Sequence, residues 1–295
     1  MDAQKFKPIE MVLKEIRILF QKDLSAVYPK DEITSIFKLL AQFYLSFDAA
    51  ELVLYANKNL TKHEANNFLR ALERLKNKEP IQHIIGETSF FDLTFKVNSN
   101  VLIPRPETEE LVQWILTDLS KNTSNQKIQL VDIGTGSGCI AISLAKNIPN
   151  ASVYALDISK PALSIAKENA IINDVNIHFL NADILKTKEL PKTFDLIVSN
   201  PPYVKHLEKE LMHDNVLEHE PDKALYVPDD MPLVFYKKIT ELARKHLATN
   251  GKLYFEINQY LGNETRQLIQ SKGFKNVILK KDFLGNDRMI RAESS

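Results

Sequence analysis

The sequence predicts an α/β protein: a parallel, doubly wound sheet preceded by a small all-helical segment. Three observations carry this. From Ile128 onward, short β-branched and apolar runs alternate with helical patterns, as in successive β-α-β units. The first strand-to-helix turn is glycine-rich, Gly134-Thr135-Gly136-Ser137-Gly138. Before Gly86 the chain has no glycine, and its apolar residues recur at helical spacing.

The elements follow in order. Ile9, Val12, Leu13, Ile16 and Leu19-Phe20 form one helical stripe, and Ile33, Ile36, Phe37, Leu40, Phe43 and Tyr44 another. Asp48 caps a short helix, and Thr61-x-x-Glu64 is a capping-box pattern ahead of Phe68, Leu69, Leu72 and Leu75. Residues 1–77 thus read as a helical bundle. Residues 78–105, from Pro80-Ile81 through Phe90-Phe91 to Val97, change character and read as a β-hairpin linker. Pro106 suits the first turn of a helix whose early acids complement its dipole. Residues 120–127 are a polar loop. Strands are expected at Ile128–Ile133, Ser152–Asp157, Ile177–Leu180, Phe194–Ser199 and Lys252–Ile257. Helices are expected at Gly138–Asn147, Pro161–Asn173, Leu233–Leu247 and 263–272. Two last strands, Asn276–Lys280 and Arg288–Ala292, leave little room for a helix between them and predict a closing hairpin.

At 295 residues the chain is long enough for two domains. Its 38 basic and 38 acidic residues cancel, so it lacks the overall basic excess of a protein that lives on a phosphate backbone. One cysteine, Cys139, excludes an intramolecular disulfide framework. No apolar run is long enough to span a bilayer, and nothing reads as a signal peptide; a cytoplasmic, membrane-free protein is expected.

The candidate chemistry lies at strand ends. Asn200-Pro201-Pro202-Tyr203 follows a buried strand, which the prolines must stop. The carboxyl edge of an open α/β sheet is where ligands bind. There, Asn200 offers an amide oxygen, Pro201 a free carbonyl and Tyr203 a ring, which suits a flat group bearing two N–H bonds, a carboxamide or a base's exocyclic amine. The glycine loop is G-x-G-x-G, and the third position of a dinucleotide fingerprint falls on Cys139. That disfavours NAD and favours a nucleoside without a pyrophosphate, with S-adenosylmethionine the leading candidate. Asp157 ends the second strand, placed either to bind ribose hydroxyls or to cap the next helix. Asp183 ends the third and is a candidate for the adenine amine, with Ile184 packing on the ring.

Together with the following motifs, these residues resemble the release-factor glutamine methyltransferases, the HemK/PrmC family. The matching stretches are Pro80–Gly86, Val101–Glu109, Asp132–Gly138, Ser199–Tyr203, Glu220-Pro221-x-x-Ala224-Leu225 and Lys281-Asp282-Phe283-x-Gly285-x-x-Arg288. The resemblance covers nearly the whole chain. It implies a seven-stranded class I (Rossmann-like) methyltransferase domain over 106–295, S-adenosylmethionine as cofactor and class 1 peptide chain release factors as partner. The acceptor it implies is N5 of the glutamine in Gly-Gly-Gln, with the helical domain recognising the substrate. By motif match, Gly134, Thr135, Gly136, Ser137, Gly138, Asp157, Asp183, Ile184 and Asn200 would hold the cofactor. Asn200, Pro201, Pro202 and Tyr203 would hold the glutamine. A monomer with no direct nucleic-acid contact is expected.

The chain departs from the family pattern at Ile184, where an aromatic is common. It departs again at Tyr226–Pro232 and Asn258, where glycines usually stand. The sequence offers no compelling general base: Glu107 and Glu109 read as first-turn helix acids. His206, His213 and His219 read as solvated loop residues and Cys139 as a packing residue. The rival readings are an N6-adenine nucleic-acid methyltransferase, a nucleotide-linked oxidoreductase and a silent S-adenosylmethionine-binding adaptor.

Overall fold

The structure, a computed structural model, describes residues 11–120, 127–205, 207–208 and 219–295. Its contacts divide the chain into two compact units, one running to Gly86 with His219 added, the other formed by Glu87 onward and Glu220–Ser295.

The first unit is helical. Helices α1 (Leu13–Leu24), α2 (Lys30–Leu45), α3 (Ala49–Leu54) and α4 (Lys62–Lys76) bury one apolar face each. Phe20, Phe37 and Phe68 meet at its centre, with centroids 5.3–6.3 Å apart. Both expected caps form. Asp48 accepts from the amides of Ala50 and Glu51, and Thr61 and Glu64 make a reciprocal capping box.

One expectation is corrected. Pro80–Gly86, read as the start of a hairpin, holds a helical turn, α5 (Ile81–Ile85). Pro80 starts it, and Gly86, at φ 85°, ends it in the left-handed conformation that glycine permits. Arg74 overrides the β-branched pattern. Its guanidinium grips Glu79 through two nitrogens, at 2.7 and 2.6 Å, and donates to the carbonyls of His83 and Ile84.

In the second unit, β1 (Glu87–Phe90) and β2 (Leu93–Lys96) form the hairpin. Phe91 and Asp92 both take positive φ, as a two-residue turn of this hand requires. Helix α6 (Pro106–Leu119) begins with its proline in the first turn. The strands that follow are β3 (Ile128–Ile133), β4 (Ala151–Asp157), β5 (Ile177–Asn181) and β6 (Phe194–Ser199). Helices α7 (Cys139–Asn147) and α8 (Lys160–Ile172) lie between them in the chain. After a two-residue strand pair, β7 (Val204–Lys205) with β8 (Tyr226–Val227), and the short α9 (Asp222–Leu225), comes α10 (Val234–His246). It leads to β9 (Leu247–Glu256), α11 (Gly262–Ser271), β10 (Lys275–Lys281) and β11 (Asp287–Glu293).

The sheet is seven-stranded, in the order β10-β11-β9-β6-β3-β4-β5. Its five central and flanking strands β9-β6-β3-β4-β5 are parallel, while β11 runs antiparallel to both neighbours, giving the expected closing hairpin. Alternate residues serve opposite faces. Val131, Ile133, Leu156, Ile197 and Phe255 enter one core, and Leu130, Val153, Ala155, Val198 and Tyr254 the other. Because β3 pairs with β4 on one side and β6 on the other, the strand order reverses beside it, which is where such sheets open a crevice. The polar loop at 120–127 and the stripe residue Ile9 fall outside the described residues, the loop for most of its length.

Gly138 joins β3's turn to α7 at φ 85°. An added Cβ would stand 2.8 Å from Ile142 Cδ1 and 3.2 Å from the Ala166 Cβ. Gly138→Ala therefore combines backbone strain with overpacking and should cost about 1–3 kcal/mol, read as a lower urea midpoint. An unchanged midpoint would contradict this packing.

Candidate active site

Three parallel strands end together. Ile133 of β3, Ser199 of β6 and Phe255 of β9 sit side by side in register. The buried Ser199 hydroxyl donates to the Ile133 carbonyl at 2.6 Å, tying the first two ends. The next residues, Gly134, Asn200 and Glu256, are thereby delivered to one edge. A cavity of about 600 Å³ opens there, within the range of small-molecule sites.

The glycine loop forms one wall. Gly134 and Thr135 both donate to the Leu156 carbonyl, at 2.8 and 3.0 Å, so β4 holds the loop's start. Gly134 and Gly136 line the cavity at φ 76° and 55°, and an added Cβ on either would meet open space. Their backbone is bare towards a ligand, the form a cradle for a cofactor requires. Thr135, Ser137 and Gly138 are placed behind this surface. The Thr135 hydroxyl donates to buried Asp132 at 2.6 Å, and the Ser137 carbonyl accepts from buried Asn169.

Asp157 lines the same cavity. Its Oδ2 accepts from the Gly136 amide at 2.9 Å and its Oδ1 from Ser159 at 2.8 Å. Both readings of this residue have a physical counterpart: it shapes the start of α8, whose N-cap is Ser159, and it braces the glycine loop while facing the cavity. Burial pushes its carboxyl up, and the surrounding amides pull it back. Asp183 and Ile184 line the cavity after β5, with Asp183 accepting from the Leu185 amide. Phe235 and Tyr226 add aromatic surface to the cavity lining that the sequence reading did not assign.

Asn200, Pro201 and Pro202 reach the cavity from β6. Tyr203 is placed elsewhere. Its ring packs against the apolar core, and its hydroxyl donates to Glu256 at 3.1 Å. Burial and the Glu256 charge hold its phenol above the usual range. Tyr203, partly buried and not among the residues lining this cavity, thus ties the two-proline turn to the end of β9.

Several residues of this edge escaped the sequence reading. Glu256, buried at the end of β9, accepts from the Thr108 hydroxyl at 2.7 Å. Asn200 Nδ2 in turn donates to the Thr108 oxygen at 3.3 Å. Burial raises the Glu256 carboxyl, against hydrogen bonds from Thr108 and Tyr203 and the Arg288 charge. Arg288 is itself held by Asp282, whose other oxygen accepts from the amides of Leu284 and Asn286. Arg105 pairs with buried Glu220, fixing the start of α6 to the segment that adds Pro221–Ala224 to the cavity. Asn258 donates to the Tyr203 carbonyl and to Glu208, so its side chain is a tie for the turn. The motifs containing Thr108, Glu220 and Arg288 were visible in the sequence, but their partners are 115 or more residues away in two of these contacts, beyond any local signal.

The remaining candidates resolve simply. Glu109 accepts from the Phe91 amide and serves the hairpin. His219 bonds the Asn77 carbonyl. His206 and His213 lie outside the described residues, among which no cluster of His, Cys, Asp or Glu could hold a metal ion. Burial pushes the Cys139 thiol up to about 12, as for a packing residue.

Comparison with known proteins bears on the fold and the family. Residues 15–86 match the model of the PrmC N-terminal domain, and residues 109–226 that of the methyltransferase small domain. A release factor glutamine methyltransferase of Flavobacterium psychrophilum is 51% identical over 95% of this chain and 99% of its own length. That of Bacteroides thetaiotaomicron is 41% identical over 95% and 99%. Among solved structures, a methyltransferase from Pyrococcus furiosus (TM-score 0.51, 18% identity) covers 80% of this chain and 100% of its own. The hMettl16 catalytic domain (TM-score 0.53, 16% identity) covers 79% and 82%. The fold is that of a Rossmann-like methyltransferase. Within that class, the chain belongs to the release factor glutamine methyltransferase family.

Asp132 gives the loop a measurable signature. Burial, with a smaller contribution from the Asp157 charge, raises its carboxyl to about 7. Its unfolded value is about 3.9, so between those values the folded state holds the extra proton and stability falls as pH rises. The full span is on the order of 4 kcal/mol. Asp132→Asn should therefore gain stability relative to wild type between pH 5 and 7.5 in urea unfolding. Parallel curves would contradict the shift.

Proposed function

We propose that the protein transfers a methyl group from S-adenosylmethionine to N5 of the glutamine in the Gly-Gly-Gln tripeptide of class 1 peptide chain release factors. One observation carries this: the bare backbone at Gly134 and Gly136 and the Asn200-Pro201-Pro202 turn open into the same cavity. The family relationship supports the acceptor. Gly134, Gly136, Asp157, Asp183 and Ile184 hold the cofactor, with Thr135, Ser137 and Gly138 shaping the loop from behind. When bound, S-adenosylmethionine supplies an electrophilic methyl group on a sulfonium.

The chain's own task is to prepare a poor nucleophile. An amide nitrogen has its lone pair delocalised into the carbonyl. The Asn200 side-chain oxygen and the Pro201 carbonyl accept its two N–H bonds and favour the positive charge that develops on nitrogen. Pro202 stiffens the turn, and Tyr203 anchors it to Glu256. Fixing the amide in an attacking orientation is worth up to roughly 7–11 kcal/mol in favourable cases. The nitrogen's proton leaves to water.

The helical unit is a recognition module for the release factor, residues 1–77 in its sequence limits, with 78–105 linking it to the methyltransferase domain at 106–295. Equal numbers of acidic and basic residues, 38 each, support a protein acceptor without direct nucleic-acid contact. No helix among the described residues is long and apolar enough to cross a membrane. A cytoplasmic monomer fits this reading.

Labelled S-adenosylmethionine should transfer its methyl to a purified class 1 release factor and not to its Gly-Gly-Ala variant, DNA or ribosomal RNA. Label on nucleic acid would instead make the protein an adenine methyltransferase. Asn200→Ala should lower kcat by roughly 100-fold or more while keeping the melting temperature. Near-normal turnover would remove Asn200 from the mechanism. Asp157→Ala should weaken S-adenosylmethionine binding by roughly tenfold or more in calorimetry, and an unchanged Kd would refute its role.

A further inference from the structure

We infer that Thr108, oriented by Glu256, is a positioning residue that sets which end of the Asn200 amide faces the acceptor. The inference rests on the proposed function and deepens it.

An Asn side chain has an acceptor end and a donor end of nearly the same shape. At the rim of the cavity only one orientation activates an amine: the oxygen must face the substrate's N–H. Reversed, the NH₂ would oppose the acceptor nitrogen's own hydrogens and reject it. Something in the protein must therefore distinguish the two ends.

The chain of contacts behind Asn200 does so. Glu256 is 2% exposed and sits one residue past Phe255, the register partner of Ser199. Both of its carboxyl oxygens act as acceptors here. Oε1 accepts a hydrogen bond from the Tyr203 hydroxyl and Oε2 one from the Thr108 hydroxyl, at 3.1 and 2.7 Å. Burial raises its carboxyl, and the Arg288 charge and these two hydrogen bonds oppose that rise. Thr108, 3% exposed, has a single proton and has committed it to Glu256. Towards Asn200 it presents lone pairs alone. Asn200 meets it with Nδ2, at 3.3 Å, which turns Oδ1 away from Thr108. Polarity passes from carboxylate to hydroxyl to amide. The relay spans α6, β6 and β9, so strand register and the Pro106 helix start both feed into it.

The test is steady-state kinetics of the full-length protein with a release factor and labelled S-adenosylmethionine. Thr108→Val removes the hydroxyl and keeps the shape. It should lower kcat tenfold or more, with the S-adenosylmethionine Kd and the release-factor KM within twofold of wild type. Thr108→Ser restores the hydroxyl and should keep kcat within threefold. Should Thr108→Val melt more than 10 °C below wild type, Thr108→Ala carries the same comparison. Three results overturn the relay: a Val variant within threefold of wild type, a Ser variant as impaired as Val, or a loss of cofactor affinity in step with kcat. A wild-type protein that leaves the release factor unlabelled takes the relay down together with the proposed function. Normal wild-type labelling with an indifferent Thr108→Val removes the relay alone.

Discussion

The structure depends on the register in which β3, β6 and β9 end. Parallel strands with no offset at Ile133, Ser199 and Phe255 bring three sequence-distant residues to one edge. The Ser199 hydroxyl, buried and bonded to the Ile133 carbonyl, secures this where the ladder stops. A slip of one residue would turn alternate side chains to the wrong face, exchanging the two cores as well as dispersing the site. The packing that holds the sheet and the geometry that arranges the chemistry are therefore the same constraint. Proline reinforces it: the ladder cannot continue through Pro201 and Pro202, so the Asn200 turn has one place to be.

Around that edge the protein buries acids. Asp132, Asp157, Glu220 and Glu256 all have carboxyls raised by burial. Each has found a different compensation. Asp132 takes a threonine hydroxyl, Asp157 backbone amides, Glu220 an arginine, and Glu256 two hydroxyls beside a guanidinium. Removing such a partner leaves a buried charge unsatisfied, which costs more than the net value of the bond. This ties the loop, the turn and the start of α6 into one preorganised wall.

Much of this was legible in sequence because the signals are local. The strands expected at Ile128–Ile133 and Phe194–Ser199 have the observed bounds, since apolar runs there are bounded by glycine or proline. The glycine loop and the Asn-Pro-Pro turn declare themselves by backbone demands that few residues meet. Pro80–Gly86 misled because β-branched residues favour a strand and a tertiary clamp by Arg74 decided for a helix. Tyr203 reads as an exposed ring beside a site, yet its contact with Glu256 lies 53 residues away in the chain. Thr108 stood within a visible motif, Val101–Glu109, but its role did not show: a threonine in a helix's first turn has a local explanation, and only the folded sheet supplies Glu256.

On the proposed mechanism, Asn200 and Pro201 present two acceptors to the substrate amide. A crystal structure with S-adenosylhomocysteine and a Gly-Gly-Gln peptide tests it most directly. The glutamine side-chain nitrogen should lie within about 3.2 Å of both Asn200 Oδ1 and the Pro201 carbonyl. A glutamine bound in the cavity with its nitrogen away from both would contradict it.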